Sequence, residues 1–387
     1  MDPRTPPPRR RLLQGLAVGA WAGLWAGAWV GGWPRWAQAA PGELGRRPLV
    51  FPRDHGSHPD TQTEWWYLTG WLQAPQGALW GFQVTFFRSR VAATQALHSR
   101  LAARQLLFAH AAVTDVAAGR LYHHQMTARW DGRDPPPGAE PVTAVARTGD
   151  TDVRIRDAVL RRAPDGSYQA RVAAGDWALD LQATPTQPLL LQGEAGWSRK
   201  GPEPHQASFY YSQPQLRMTG RLALAGRTAE VTGRGWLDHE WSEALLHPDA
   251  VGWDWMGMNL DDGGSLTAFR LRRADGRALW AGGSMRTGPA AQPPLATRAF
   301  APGEVTFEPL RHWTSPRTAV RYPVQWRVHT PAGVFEVHAL ADDQELDSRA
   351  STGALYWEGL CELRTLDGRR VGRGYLELTG YGGALRL

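Results

Sequence analysis

The sequence predicts an all-β fold: two antiparallel β-barrel or sandwich domains behind an N-terminal export segment. Two observations carry the β assignment. From residue 45 onward the apolar residues alternate with polar ones, as in half-buried strands. The alternating runs are separated by turn dipeptides: Asp165-Gly166, Asp262-Gly263, Asp275-Gly276 and Asp367-Gly368. A third observation predicts two domains. Trp65-Trp66-Tyr67, a Gly77 turn and Leu79-x-x-Phe82-Gln83-Val84 form a strand-turn-strand unit. Trp253-Asp254-Trp255, a Gly264 turn and Leu266-x-x-Phe269-Arg270-Leu271 repeat it about 188 residues later. The seam is expected near residue 245, dividing the body into 46–245 and 246–387.

The leader comes first. Arg9, Arg10 and Arg11 precede an apolar run from Leu12 to Trp33, broken only by Gln14, and Ala37-Gln38-Ala39 follows as a small-x-small cleavage site. This is the order of a secretory signal in residues 1–39, and Arg9-Arg10-Arg11-Leu12-Leu13 is similar to a twin-arginine signal. The alternative is a retained anchor, because 22 mostly apolar residues could span a bilayer. Either way the body is expected in the periplasm or outside the cell.

The strands follow in order. Predicted strands include Glu64–Leu72, Ala78–Arg88, Leu106–Asp115, Tyr168–Ala173, Ala178–Ala183, Gln215–Leu224, Gly252–Leu260, Ser265–Arg272, Gln325–His329, Val334–Leu340 and Gly374–Leu378. The one candidate helix, Val91–Arg104, is Ala- and Arg-rich and reads equally well as a surface loop.

Composition excludes several functions. The net charge of +6 hints at nucleic acid, but residues 1–39 hold five Arg against one Asp. Without them the chain is close to neutral at +2, so no nucleic-acid partner is expected. Cys361 is the single cysteine, which excludes an intramolecular disulfide framework and a cysteine-based zinc cluster. No dinucleotide glycine fingerprint, phosphate loop or HExxH helix is present, and no cofactor is expected. His-x-x-His spacing with carboxylates at Asp54, His55, His58 and Asp60 has the donor types of a metal site. A loop bounded by Pro and Gly explains it better, and no metal is assigned.

Candidate chemistry lies in polar groups flanked by aromatics. Alternation along a strand directs Trp236, Asp238 and Glu240 to one face and Leu237, His239 and Trp241 to the other. It likewise places Trp253 and Trp255 together, with Asp254 opposite. Asp238, His239 and Glu240 could serve acid–base catalysis. On spacing alone a buried polar network tying two domains together, with Glu240 paired to an arginine, fits them better. Glu64, Trp65, Tyr67, Tyr210, Tyr211, Trp253 and Trp255 are candidate ligand contacts, although Trp and Tyr also fill β cores.

Taken together, these segments resemble the AttH family, lipocalin-like proteins that include the carotenoid 1,2-hydratases (hydroxyneurosporene synthases). The resemblance is carried by Phe51-Pro52-Arg53-Asp54-His55-Gly56, Thr63 to Gly70, Ser198-Arg199-Lys200-Gly201-Pro202 and Tyr210-Tyr211-Ser212. Asp238-His239-Glu240-Trp241-Ser242, Gly252-Trp253-Asp254-Trp255, Tyr356-Trp357-Glu358-Gly359 and Gly374 to Tyr381 complete it, spanning residues 48–381. It implies two lipocalin-like domains, often exported and grouped with predicted secreted hydrolases. Some members are the soluble component of an ABC-type export system. In the hydratase branch a His-x-Trp element, matched here by His239 and Trp241, is implied in adding water to a terminal isoprenoid double bond. The branch's Tyr and acid on a following strand are replaced here by Phe269 and Leu271.

The expected chemistry needs an acid, aromatic faces and a base. His239 or a raised-pKa carboxylate would protonate the alkene. Trp241, Trp253 and Trp255 would stabilise the cation, and Asp238, Glu240 or Asp254 would take the proton of water. The alternative is a non-catalytic accessory protein of an ABC-type permease that binds a lipid or other apolar ligand.

Overall fold

Strands account for almost every regular element in the computed structural model. It describes residues 45–387 apart from 100–101, 137–142, 244–245 and 386–387. The leader 1–39 lies outside the described residues. Among those described, no helix is long and apolar enough to cross a membrane.

Two antiparallel sheets form. Among the described residues the first has 13 strands lying between Thr63 and Ser242, the second 10 strands between Gly252 and Thr379. The first sheet curls into a nearly closed barrel, its end strands Arg120–Trp130 and Ala144–Ala146 approaching each other. The glycine of each predicted Asp-Gly turn has positive φ, between 82° and 86°, which costs little without a Cβ. The two similar hairpins occupy equivalent positions. Thr63–Gln73 pairs with Leu79–Arg90 on one side and with the last strand of its sheet, Arg227–Ser242, on the other. Gly252–Leu260 pairs with Ser265–Arg272 and with the last strand of its sheet, Arg370–Thr379.

The candidate helix Val91–Arg104 does not form among the described residues; only a single 3-10 turn, Ala92–Thr94, is present. The side chains of Thr94 and Gln95 bond instead to the carbonyls of Ala103 and Arg104. Such local side-chain bonds offer the backbone an alternative to a helix.

Each sheet encloses its own apolar core, around Trp66 and Phe82 in the first and Trp326 and Trp357 in the second. A third cluster, including Tyr67, Trp236, Trp255, Phe269 and Tyr375, joins them. Polar bonds reinforce it. The Gln215 N–H donates to Asn259 Oδ1 at 2.7 Å, and Asn259 Nδ2 donates to the Gly235 carbonyl at 3.0 Å. Contact between the sheets is tight at Gly81, where a Cβ would come within 2.8 Å of the Tyr375 hydroxyl.

Candidate functional site

A cavity of about 270 Å³ lies where the sheets meet, with mostly apolar walls. Strand register decides what faces it. Trp65 pairs with Glu240 and Tyr67 with Asp238 on one side, while Tyr210 pairs with Glu240 and Ser212 with Asp238 on the other. Cross-strand partners share a face, so Trp65, Tyr67, Tyr210, Asp238 and Glu240 converge on the cavity. The second sheet supplies Trp253, Trp255, Phe269 and Leu271. The alternation read from the sequence therefore assigns the faces correctly, and the two similar hairpins place their aromatic residues around one cavity.

Three groups of polar side chains line this cavity. Asp238 accepts hydrogen bonds from Ser212 Oγ at 2.5 Å, Tyr210 Oη at 2.7 Å and Trp236 Nε1 at 2.7 Å. Burial nevertheless pushes its pKa up to about 7, against those three bonds and with help from Glu240. The Tyr210 hydroxyl also accepts from Trp255 Nε1 at 3.2 Å, linking the two sheets. Glu240 is held by Lys200 Nζ at 2.9 Å and by the Ser208 hydroxyl.

The second group was missed as chemistry, although its segments carry the family resemblance. Glu358 and Glu377 face each other across neighbouring strands of the second sheet and line the cavity. Burial raises both carboxyls, and the negative charge of Glu377 raises Glu358 further. Glu358 Oε2 and the Tyr67 hydroxyl are both buried on this wall, and the Tyr67 hydroxyl lowers the Glu358 carboxyl against the effect of burial. Nothing in the sequence marks two glutamates on separate strands as neighbours; only the pairing of their strands does. The third group, also unforeseen, is His110. Its Nδ1 lies 2.6 Å from the Tyr356 hydroxyl and its Nε2 2.9 Å from Ser351 Oγ. Burial lowers its pKa to about 3, so the ring is neutral.

Other predicted site residues lie elsewhere. His239 and Trp241 occupy the opposite face of their strand, fully buried and away from the cavity. His239 stacks on Trp66 with centroids 4.6 Å apart. Its Nε2 contacts Glu64 Oε1 at 2.9 Å and its Nδ1 the Tyr211 hydroxyl at 3.1 Å. Burial lowers its pKa to about 4, against the pull of Glu64, so it stands as a neutral ring. A neutral imidazole without access to the cavity cannot protonate a ligand there. Tyr211 shares this face and bonds to His55 Nδ1 at 2.8 Å, so it is not a cavity contact. Glu64 borders the cavity, yet its carboxylate is committed to Ser57, His58, Arg88 and His239. Asp254 also points away, as its alternation with Trp253 and Trp255 required. It is fully buried between Arg270 Nε at 2.7 Å, Arg272 Nε at 3.1 Å and the Tyr381 hydroxyl at 2.8 Å, so it is not the base.

The fold gathers part of the loop that held His-x-x-His into this second network. His58 stacks on Trp241 with centroids 3.8 Å apart, and its ring nitrogens face Glu64 and Asp54. Burial alone would raise the Asp54 carboxyl, but bonds from Arg47 and His58 hold it well below the usual range. Among the described residues, His58, Glu64 and His239 bring their ligand-type atoms within 4.8 Å of one another and could hold an ion. Those atoms already bond to one another, and Arg88 neutralises Glu64, so the cluster is complete as a polar network.

A nearly closed antiparallel barrel joined to a second antiparallel sheet gives the chain an all-β, lipocalin-like fold. The chain belongs to the AttH-like family, whose model matches residues 43–381. The crystal structure of an AttH protein from Nitrosomonas europaea is 46% identical, covers 88% of this chain and 99% of its own, and superposes with a TM-score of 0.78. Kievitone hydratase from Nectria haematococca shares the fold at 13% identity, covering 87% of this chain and 94% of its own, with a TM-score of 0.65. No curated protein sequence matches significantly.

Proposed function

We propose that this AttH-like protein is exported, takes up an isoprenoid- or lipid-like apolar ligand between its two sheets, and adds water to a carbon–carbon double bond of that ligand. The observation that supports this reading is the carboxyl pair Glu358–Glu377 in an aromatic-walled cavity. The pair supplies a protonated carboxyl at neutral pH, and a proton donated to the alkene leaves a tertiary cation. The faces of Trp65, Trp253 and Trp255 stabilise that cation. Water then attacks, and Asp238 in its anionic form, or the newly formed carboxylate, takes the surplus proton. The name of kievitone hydratase, which shares the fold, is in keeping with such chemistry.

The test is incubation with an acyclic carotenoid or terpenoid in water enriched in heavy oxygen. A labelled tertiary alcohol is expected, and Glu377→Gln lowers its rate by about 100-fold or more. Absence of labelled alcohol from every such alkene overturns hydration. The sealing of His239 behind the cavity wall favours a second reading, a non-catalytic lipid carrier serving an ABC-type permease. That reading expects an apolar ligand to co-purify and a pull-down to return a membrane component.

A further inference from the structure

Lys200 is the only lysine among the 43 basic residues of the chain. Among the described residues arginine takes the other buried cationic positions, pairing with Glu64 and Asp254. A positive charge is therefore not what distinguishes position 200; a primary amine is. The two side chains differ most in this respect, because an amine can form a covalent bond to a carbonyl carbon and a guanidinium does not do so readily.

The position suits that chemistry. Lys200 is buried at 6% exposure, yet it lines the cavity. Its Nζ lies 4.8 Å from the ring centroid of Tyr210 and 4.3 Å from that of Phe269. Glu240 Oε1 stands 2.9 Å away, and Ser198 Oγ lies at 3.3 Å. Nearby walls such as Trp255 and Leu271 are apolar and accept a long hydrocarbon tail.

We propose that Lys200 captures an apolar ligand ending in an aldehyde, a long-chain or polyene aldehyde, as a Schiff base within the cavity. Glu240 first takes a proton from the ammonium. The Nζ lone pair attacks the carbonyl carbon, the C=O π pair moves to oxygen, and Glu240 returns its proton to that oxygen, then takes one from the nitrogen to leave a neutral carbinolamine. Glu240 passes that proton to the hydroxyl, the C–O bond breaks, water leaves, and the nitrogen lone pair forms the C=N bond. Ammonium and aldehyde thus become iminium and water, with no oxidant or reductant. The iminium charge stays beside Glu240 and between two aromatic faces, where cation–π attraction favours it. The proposal rests on the cavity as a ligand site and is independent of hydration.

Lys200 is the one side-chain primary amine in the sequence, so the adduct can be told from labelling of an α-amino group. All-trans-retinal is added to the purified protein, the imine is reduced with cyanoborohydride, and the adduct is mapped by peptide mass spectrometry. A saturable adduct at Lys200 is expected, with the red-shifted absorption of a protonated retinyl imine before reduction. Lys200→Arg removes it, and Glu240→Gln slows its formation about tenfold. Mapping on the unaltered protein keeps the test valid if a variant fails to fold. Labelling only at the N-terminus, or equal labelling of Lys200 in urea-unfolded protein, overturns the proposal. Binding of squalene, followed by tryptophan quenching, runs in parallel. Squalene binding without a Lys200 adduct sinks the covalent proposal alone, whereas no binding of either probe sinks the ligand cavity and the proposal with it.

Discussion

Replacing His239 by alanine is expected to destabilise the protein while leaving the ligand cavity intact. The ring makes two buried polar contacts and one stack. Glu64 keeps Ser57, His58 and Arg88 after its removal, and Tyr211 keeps His55, so neither partner is orphaned. Each lost contact therefore costs near the low end of the usual range, about 1 kcal/mol. Loss of the stack on Trp66 adds about 0.5–1.5 kcal/mol, and the void where the ring stood adds about 1 kcal/mol more. The sum, about 3.5–4.5 kcal/mol, corresponds to a fall in Tm on the order of 5–10 °C. Urea denaturation followed by tryptophan fluorescence reads the stability, and quenching by an apolar ligand reads the cavity. Affinity is expected to stay within about twofold, since each factor of ten needs 1.4 kcal/mol. Unchanged stability with lost binding or turnover would falsify this account and return His239 and Trp241 to the catalytic role that the family resemblance implied.

Further predictions concern the charged groups, the sheet contact and the leader. Asp238→Asn tests the raised carboxyl. The folded wild type holds a proton there that the unfolded chain releases above about 3.8, so its contribution is lost as pH rises through 7. The variant should therefore gain on the wild type by about 1 kcal/mol per pH unit between pH 4.5 and 7; a constant difference in urea midpoints over that range refutes the shift. Asp254→Ala strands the buried Arg272 and the half-buried Arg270 and should cost about 3–5 kcal/mol without altering ligand affinity, so a loss of affinity at full stability would make Asp254 a site residue after all. Gly81→Ala drives a methyl group against the Tyr375 hydroxyl and Leu360 and should lower stability by about 1–3 kcal/mol. A neutral result would mean that the sheets yield there. The leader reading expects protein recovered outside the cytoplasm to begin at Ala40; an intact Met1 end on that protein points to the anchor instead.

Much of this protein was legible from alternation and turn chemistry. Asp-Gly pairs marked hairpins because their glycines accept positive φ, and period-two patterning separated Asp238 and Glu240 from His239 and Trp241. Family membership was equally readable, since it rests on contiguous motifs. Alternation could not say which face held the ligand. On most strands near an amphipathic sheet, polarity answers that question; here both faces of the Asp238 strand are buried and both carry polar side chains. Burial on both faces follows from packing one sheet against another, and that packing is long-range. The same packing brings Lys200 beside Glu240, and Tyr67 of the first sheet near Glu358 and Glu377 of the second. Sequence alone therefore determined the fold class, the family and the pairing of side chains along each strand. The tertiary structure decided which face became a cavity and which carboxyls share it, because those depend on strands that meet only after the chain has folded.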